Sequence, residues 1–135
     1  MSPLSPAAHN TLSEFKACHS WENRARLLLK YGQQLDPITS EQRQQDNLIR
    51  GCESPVWCLL QQQDGTLQIQ LDTDSRLLKG LLAVLQVRIQ GITAADLAQV
   101  DINDWFTQLG LSRQLSPSRS NGLNAVIQHI RTQLA

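Results

Sequence analysis

Cysteine and histidine are the side chains most able to act as nucleophiles or metal ligands here, and the chain carries three of each. Cys52 stands apart from the other two cysteines. It lies between Gly51 and the turn residues Ser54-Pro55, in backbone able to bend sharply and present the sulfur at a loop tip, where amide N–H groups stabilise a thiolate. Its alternative reading is a buried structural thiol, since free cysteine is among the most buried residue types. Cys58 shares strand parity with Val56 and Leu60, and Cys18 continues the three-residue step of Leu12 and Phe15, so both are expected in the core. Successive cysteines are separated by 33 and five residues, and His9, His19 and His129 are scattered, which fits no zinc-ligand pattern. Three cysteines leave one over from any pairing, which favours a reducing cytoplasm over an oxidised secreted framework.

Other side chains carry weaker signals. Arg119 lies in Ser116-Pro117-Ser118-Arg119-Ser120, just ahead of the last expected helix, where it can lend charge to a thiolate, pair with a partner's carboxylate, or stand solvated. Asp74 is either a partner contact or a helix cap. Trp57 and Trp105 are expected as core anchors or interface aromatics.

The elements that must position these residues follow from periodicity. Residues 1 to 7 read as a loose start. Leu12, Phe15 and Cys18 mark a short helix, and Ser20 caps a second running to Gly32. Thr39 with Gln42 forms a capping-box pattern for a brief polar helix before Asn47. Leu67, Ile69 and Leu71 alternate with Gln68, Gln70 and Asp72 as in a strand with one buried face, and Asp64-Gly65 separates it from a β-prone run, Val56 to Gln62, as a hairpin turn. Asn47 to Arg50 can add a third strand, leaving residues 51–55 as a tight connection at the end of the sheet. Asp72, Thr73 and Asp74 offer caps to a helix apolar on nearly every side from Leu77 through Leu85 and ending at Gly91, and Gly80 within it predicts a close contact with the sheet or a neighbouring helix. Thr93 caps the next helix, Asn103 or Asp104 opens another that Gly110 stops, and Leu123, Val126, Ile127, Ile130 and Leu134 lay one stripe along the last.

Helices, then a small antiparallel sheet, then helices predict a two-layer α+β fold with the helices on one sheet face, in a single domain over residues 1–135. At 135 residues, 41% of them apolar, folding buries roughly two-thirds of the unfolded chain's surface, so a core is sustained without staples. Twelve basic against twelve acidic residues and no basic run disfavour a nucleic-acid partner. No apolar stretch approaches the roughly 20 residues of a membrane helix, so neither a membrane span nor a signal segment is expected. Glycine-rich phosphate loops and H-E-x-x-H runs are missing, which removes the motif-based case for nucleotide or metallopeptidase chemistry.

Gly51-Cys52-Glu53-Ser54-Pro55-Val56-Trp57 resembles the G-C-x-S-x-V-W signature of the SufE family, the sulfur acceptors for cysteine desulfurases. Trp21-Glu22 with Arg24 is similar to the family's W-E-x-K/R. Asp74-Ser75 followed by Leu78-Lys79-Gly80-Leu81-Leu82-Ala83-Val84 is similar to its central helix, and Leu115 to Leu123 to its C-terminal motif. The resemblance runs in order from about Leu12 to the last residue and includes the CsdE-type paralogues. Ser54 and Pro117 look more like the Suf branch; Pro55 and Cys58 depart from the commonest pattern.

The resemblance implies the α+β fold of SufE and NifU-like domains with a three-stranded antiparallel sheet. It also implies sulfur transfer, with no cofactor or metal bound by this chain. A pyridoxal-phosphate-dependent desulfurase of the SufS or CsdA kind would hold sulfur as a persulfide, Cys52 would take it, and an iron–sulfur scaffold complex or other acceptor would receive it. Gly51, Ser54, Asp74 and Arg119 are the implied partner-contact positions, with Arg119 also beside the thiolate. Thiolate attack on a sulfur–sulfur bond needs an accessible nucleophile and no paired base. Two rivals are an iron–sulfur scaffold, which needs several converging thiolates, and a thiol peroxidase in which Cys58 resolves oxidised Cys52.

Overall fold

The computed structural model describes residues 4–43, 48–49 and 54–134. Helix α1 (Pro6–Lys16) starts where the sequence reading expected a loose segment. Ser5 accepts a hydrogen bond from the Ala8 N–H, and Pro6 occupies the first turn, where its missing N–H costs nothing and its fixed φ suits the helix. Helix α2 (Trp21–Gln33) is capped by Ser20, as expected. Phe15 of α1 stacks on Tyr31 of α2, whose hydroxyl meets Thr11 and Glu14, so the two helices form a locked pair.

Thr39 and Gln42 exchange side-chain hydrogen bonds with each other's backbone N–H groups, the expected capping-box geometry, but the described residues after them form only a turn. Strands β1 (Leu48–Ile49), β2 (Val56–Gln63) and β3 (Thr66–Thr73) make an antiparallel sheet in the order β1-β2-β3. Asp64 and Gly65 both adopt positive φ, at 54° and 79°, as a two-residue hairpin turn matched to strand twist requires.

One sheet face, with Ile49, Val56, Cys58, Leu67, Ile69 and Leu71, is buried. Against the sheet lies α3 (Arg76–Ile89), buried on most sides, as its continuous apolar run predicts. Its cap is Ser75 rather than any of residues 72–74. Gln86 of α3 and Gln90, the residue that ends it, accept hydrogen bonds from the Leu71 and Ile69 N–H groups at 3.0 and 2.6 Å, and Ile92 O accepts from Leu67. The outer edge of β3 is thereby satisfied by this chain's own groups, which blunts pairing with another strand.

Thr93 caps α4 (Ala94–Leu97), and Asp101 caps α5 (Ile102–Gln108), two residues earlier than the expected Asn103. Trp105 is buried and donates its indole N–H to Val84 O, confirming it as a core anchor. Gly110, at φ 74°, follows the end of α5. The last helix, α6 (Pro117–Leu134), buries Leu123, Val126, Ile127 and Ile130 in one stripe.

Candidate functional site

Ile49 and Val56 face each other across β1 and β2, so the connection between these strands leaves and re-enters at one end of the sheet. Of the motif residues in that connection, Gly51 and Cys52 lie outside the described residues. Ser54 and Pro55 are described. The carbonyl of Pro55 accepts a 2.6 Å hydrogen bond from the Thr73 hydroxyl at the end of β3, which fixes the returning arm of the loop.

Ser54 lines a small cleft with Ser75, Leu78, Ser118, Arg119 and Gly122. The cleft offers about 50 Å³, far below the roughly 300–1,000 Å³ of a pocket for a drug-sized ligand. It is sized for a side-chain tip or one or two extra heavy atoms. Ser75 is the cap of α3, and Ser118 and Arg119 lie in the first turn of α6, so two helix N-termini approach one point. The dipoles of the two helices favour negative charge there.

Arg119 lies within the first turn of α6 rather than just ahead of the helix, and of its three readings the fully solvated one does not hold. Pro117 takes the first helical position, Ser116 accepts a hydrogen bond from the Arg119 N–H at 3.3 Å, and the half-buried guanidinium donates to Gln114 O at 3.3 Å. The structure thus joins two separated motifs, through Ser54 and Arg119, at one cleft.

Asp74 is drawn into a different arrangement. Its exposed carboxylate pairs at 2.9 Å with Arg43, a residue the sequence reading passed over, and it caps no helix. The same guanidinium pairs at 2.9 Å with Asp72 and lies 4.2 Å from the centre of the Trp57 ring, so Trp57 is a half-buried platform for a cation. Asp72 is buried. Burial pushes its carboxyl up, but the Ile38 N–H, Arg43, the Thr73 N–H and the charge of Lys79 outweigh that and hold it below the ordinary range. No sequence signal near Arg43 announces this pair, because its acidic partners are a strand away.

A family model described as "SufE: Fe-S metabolism associated domain" matches residues 9–134. The chain belongs to the SufE family. The match associates this SufE-family chain with iron–sulfur metabolism. Its fold is also similar to the solution structure of a hypothetical protein from Thermus thermophilus, with a TM-score of 0.75 over 97% of this chain and 95% of that one; at 19% identity this speaks to fold alone.

The two other cysteines of this SufE-family chain are placed differently. Cys58 is 1% exposed among core residues, as its parity predicts, and burial pushes its thiol up to about 12. Cys18 is half-buried rather than in the core, at a surface groove between α1 and α2, and its thiol donates to Glu14 O at 3.6 Å. Among the described residues, no helix is long and apolar enough to cross a membrane.

Proposed function

We propose that the protein is a sulfur acceptor and activator for a pyridoxal-phosphate-dependent cysteine desulfurase, working as a single SufE-like domain in the cytoplasm and binding no cofactor of its own. The Cys52 thiolate attacks the outer sulfur of the desulfurase persulfide. A new sulfur–sulfur bond forms on Cys52 as the old one breaks, and the desulfurase cysteine leaves as thiolate, so no net oxidation occurs. An iron–sulfur assembly partner repeats the exchange and restores Cys52.

The observation that carries this reading is the cleft at Ser54. It sets two helix N-termini and Arg119 beside a residue only two positions after Cys52, and its size matches a sulfur-bearing side chain rather than a large ligand. Positive partial charge of that kind favours a thiolate and the more acidic perthiolate. Its lining, which includes Leu78, also supports shelter of the sulfur in the free protein until a partner docks.

Cys58 supports the division of labour. It is 1% exposed among core residues and burial pushes its thiol up to about 12, which disfavours the accessible thiolate that a second sulfur carrier or the resolving cysteine of a thiol peroxidase needs. Incubation with a desulfurase and L-cysteine, followed by intact mass, tests the proposal: adducts of about 32 Da on wild type and none on Cys52→Ala are expected. Uptake by Cys52→Ala would reject it.

A further inference from the structure

A second concave surface lies on the α1–α2 pair and shares no residue with the cleft at Ser54. Glu14 of α1 meets Tyr31 of α2 at one end of the pair, and Arg24 of α2 donates to Cys18 O at 3.3 Å at the other, so the two helices run antiparallel. The seam between them is a groove of about 450 Å³. Its apolar lining is Ala17, Cys18 and Leu27, none of them fully buried. Its charge is one-sided. Arg26 and Lys30, one turn apart on α2, line it as exposed cations, and neither has an ion-pair partner among the described residues. Glu14 on the α1 wall is already engaged, accepting from the Tyr31 hydroxyl and from Asn10 at 3.3 Å. Leu28 and Gly32, which pack on Gly80 of α3, lie on the other side of α2 from the stripe that lines the groove, so the groove opens away from α3.

We propose that this groove is a docking site for an acidic amphipathic helix of a partner protein, with the helix's apolar ridge on Ala17, Cys18 and Leu27 and two of its carboxylates on Arg26 and Lys30. A seam between two antiparallel helices receives the side-chain ridge of a third, and carboxylates one turn apart on that helix match two cations one turn apart on α2. Cys18 and Leu27 are half-buried in the seam rather than protruding, which suits a ridge and not the flat interface of a bilayer. The unpaired cations beside apolar surface select an acidic helix over a basic one, because a basic helix would meet like charge at both positions. Because the groove shares no residue with the cleft at Ser54, the inference holds whether or not Cys52 carries sulfur.

The probe is a fluorescein-labelled helical peptide of about 16 residues, with leucines along one stripe and glutamates one turn apart beside it, and its binding is read by fluorescence anisotropy. Wild type should bind it saturably, more weakly as salt is added. Affinity should fall about tenfold for the double variant Arg26→Gln, Lys30→Gln, and by a similar factor for wild type with a peptide whose glutamates are replaced by glutamine. Arg113→Gln, at an exposed arginine on another element, should bind as wild type does. Cys18 lies in the groove and serves as the reporter: saturating peptide should slow its iodoacetamide labelling, read by peptide mass spectrometry, and leave that of Cys52 unchanged. The peptide with glutamine keeps the charge test independent of whether the double variant folds. No saturable binding up to about 1 mM peptide, equal affinity for the two peptides, or an unprotected Cys18 would overturn the proposal. So would protection of Cys18 by phosphatidylglycerol vesicles in place of the peptide, which makes the groove a membrane contact, or self-association lost in the double variant, which makes it an interface between copies.

Discussion

Gly32 of α2 and Gly80 of α3 meet backbone to backbone. A Cβ built on Gly32 would lie 2.8 Å from the Gly80 nitrogen, and one on Gly80 would lie 2.7 Å from Leu28 O. Side chains cannot yield here, because the nearest atoms belong to the main chains of two packed helices. Gly80→Ala should therefore cost about 1–3 kcal/mol despite the better helix propensity of alanine, and Gly32→Ala a similar amount. Urea unfolding of each variant checks this; a stabilised Gly80→Ala would show that the helices separate at little cost.

Asp72 gives stability a definite pH dependence. Its carboxyl is held below its unfolded value, so its contribution is fully present above that value, near 4, and is lost as pH falls through the depressed folded value. The stability gap between wild type and Asp72→Asn should be constant from pH 5 to 7 and narrow below pH 4. Chemical denaturation across that range reads the gap directly, and a gap that widened in acid would reverse the assignment.

Arg119 donates to Gln114 O from a half-buried position beside Ser54. Arg119→Ala should slow sulfur acceptance about tenfold, while the loss of one hydrogen bond costs about 1 kcal/mol of stability. Single-turnover transfer and a melting curve separate the effects. Unchanged transfer would leave Arg119 with only its structural bond.

Cys58 lies opposite Leu71 in the sheet, with 1% exposure. Cys58→Ala should lose about 1–2 kcal/mol of stability through the cavity left behind and keep its sulfur uptake. Equal uptake by Cys58→Ala and wild type, measured by intact mass, is the expected outcome. A lower stoichiometry in the variant would make Cys58 a carrier.

The hairpin was legible because Asp64-Gly65 sits between two runs whose alternation points one way, so turn chemistry and burial agree. Gly80 was legible for a similar reason: a glycine inside an apolar helix needs a close neighbour, and Gly32 with Leu28 supplies it. The caps of α3 and α5 were misread because several short polar residues compete at each start. Asp72 is taken by Ile38 and Arg43, Asp74 by Arg43, and Ser75 is left to cap; burial of Ile102 places α5 so that Asp101 must cap it. Ser54 and Arg119 carried family motifs, yet their meeting depends on how α6 packs, which no local pattern encodes. Arg43 was invisible because a charge pair across 29 residues of chain leaves no periodic trace.

Cys52 as the one sulfur-carrying thiol is the central claim, and intact mass after reaction with a desulfurase and L-cysteine tests it most directly. Wild type, Cys18→Ala and Cys58→Ala should each gain adducts of about 32 Da that are removed by dithiothreitol, and Cys52→Ala should gain none. A reductant-sensitive adduct of the same mass on Cys52→Ala would contradict the account.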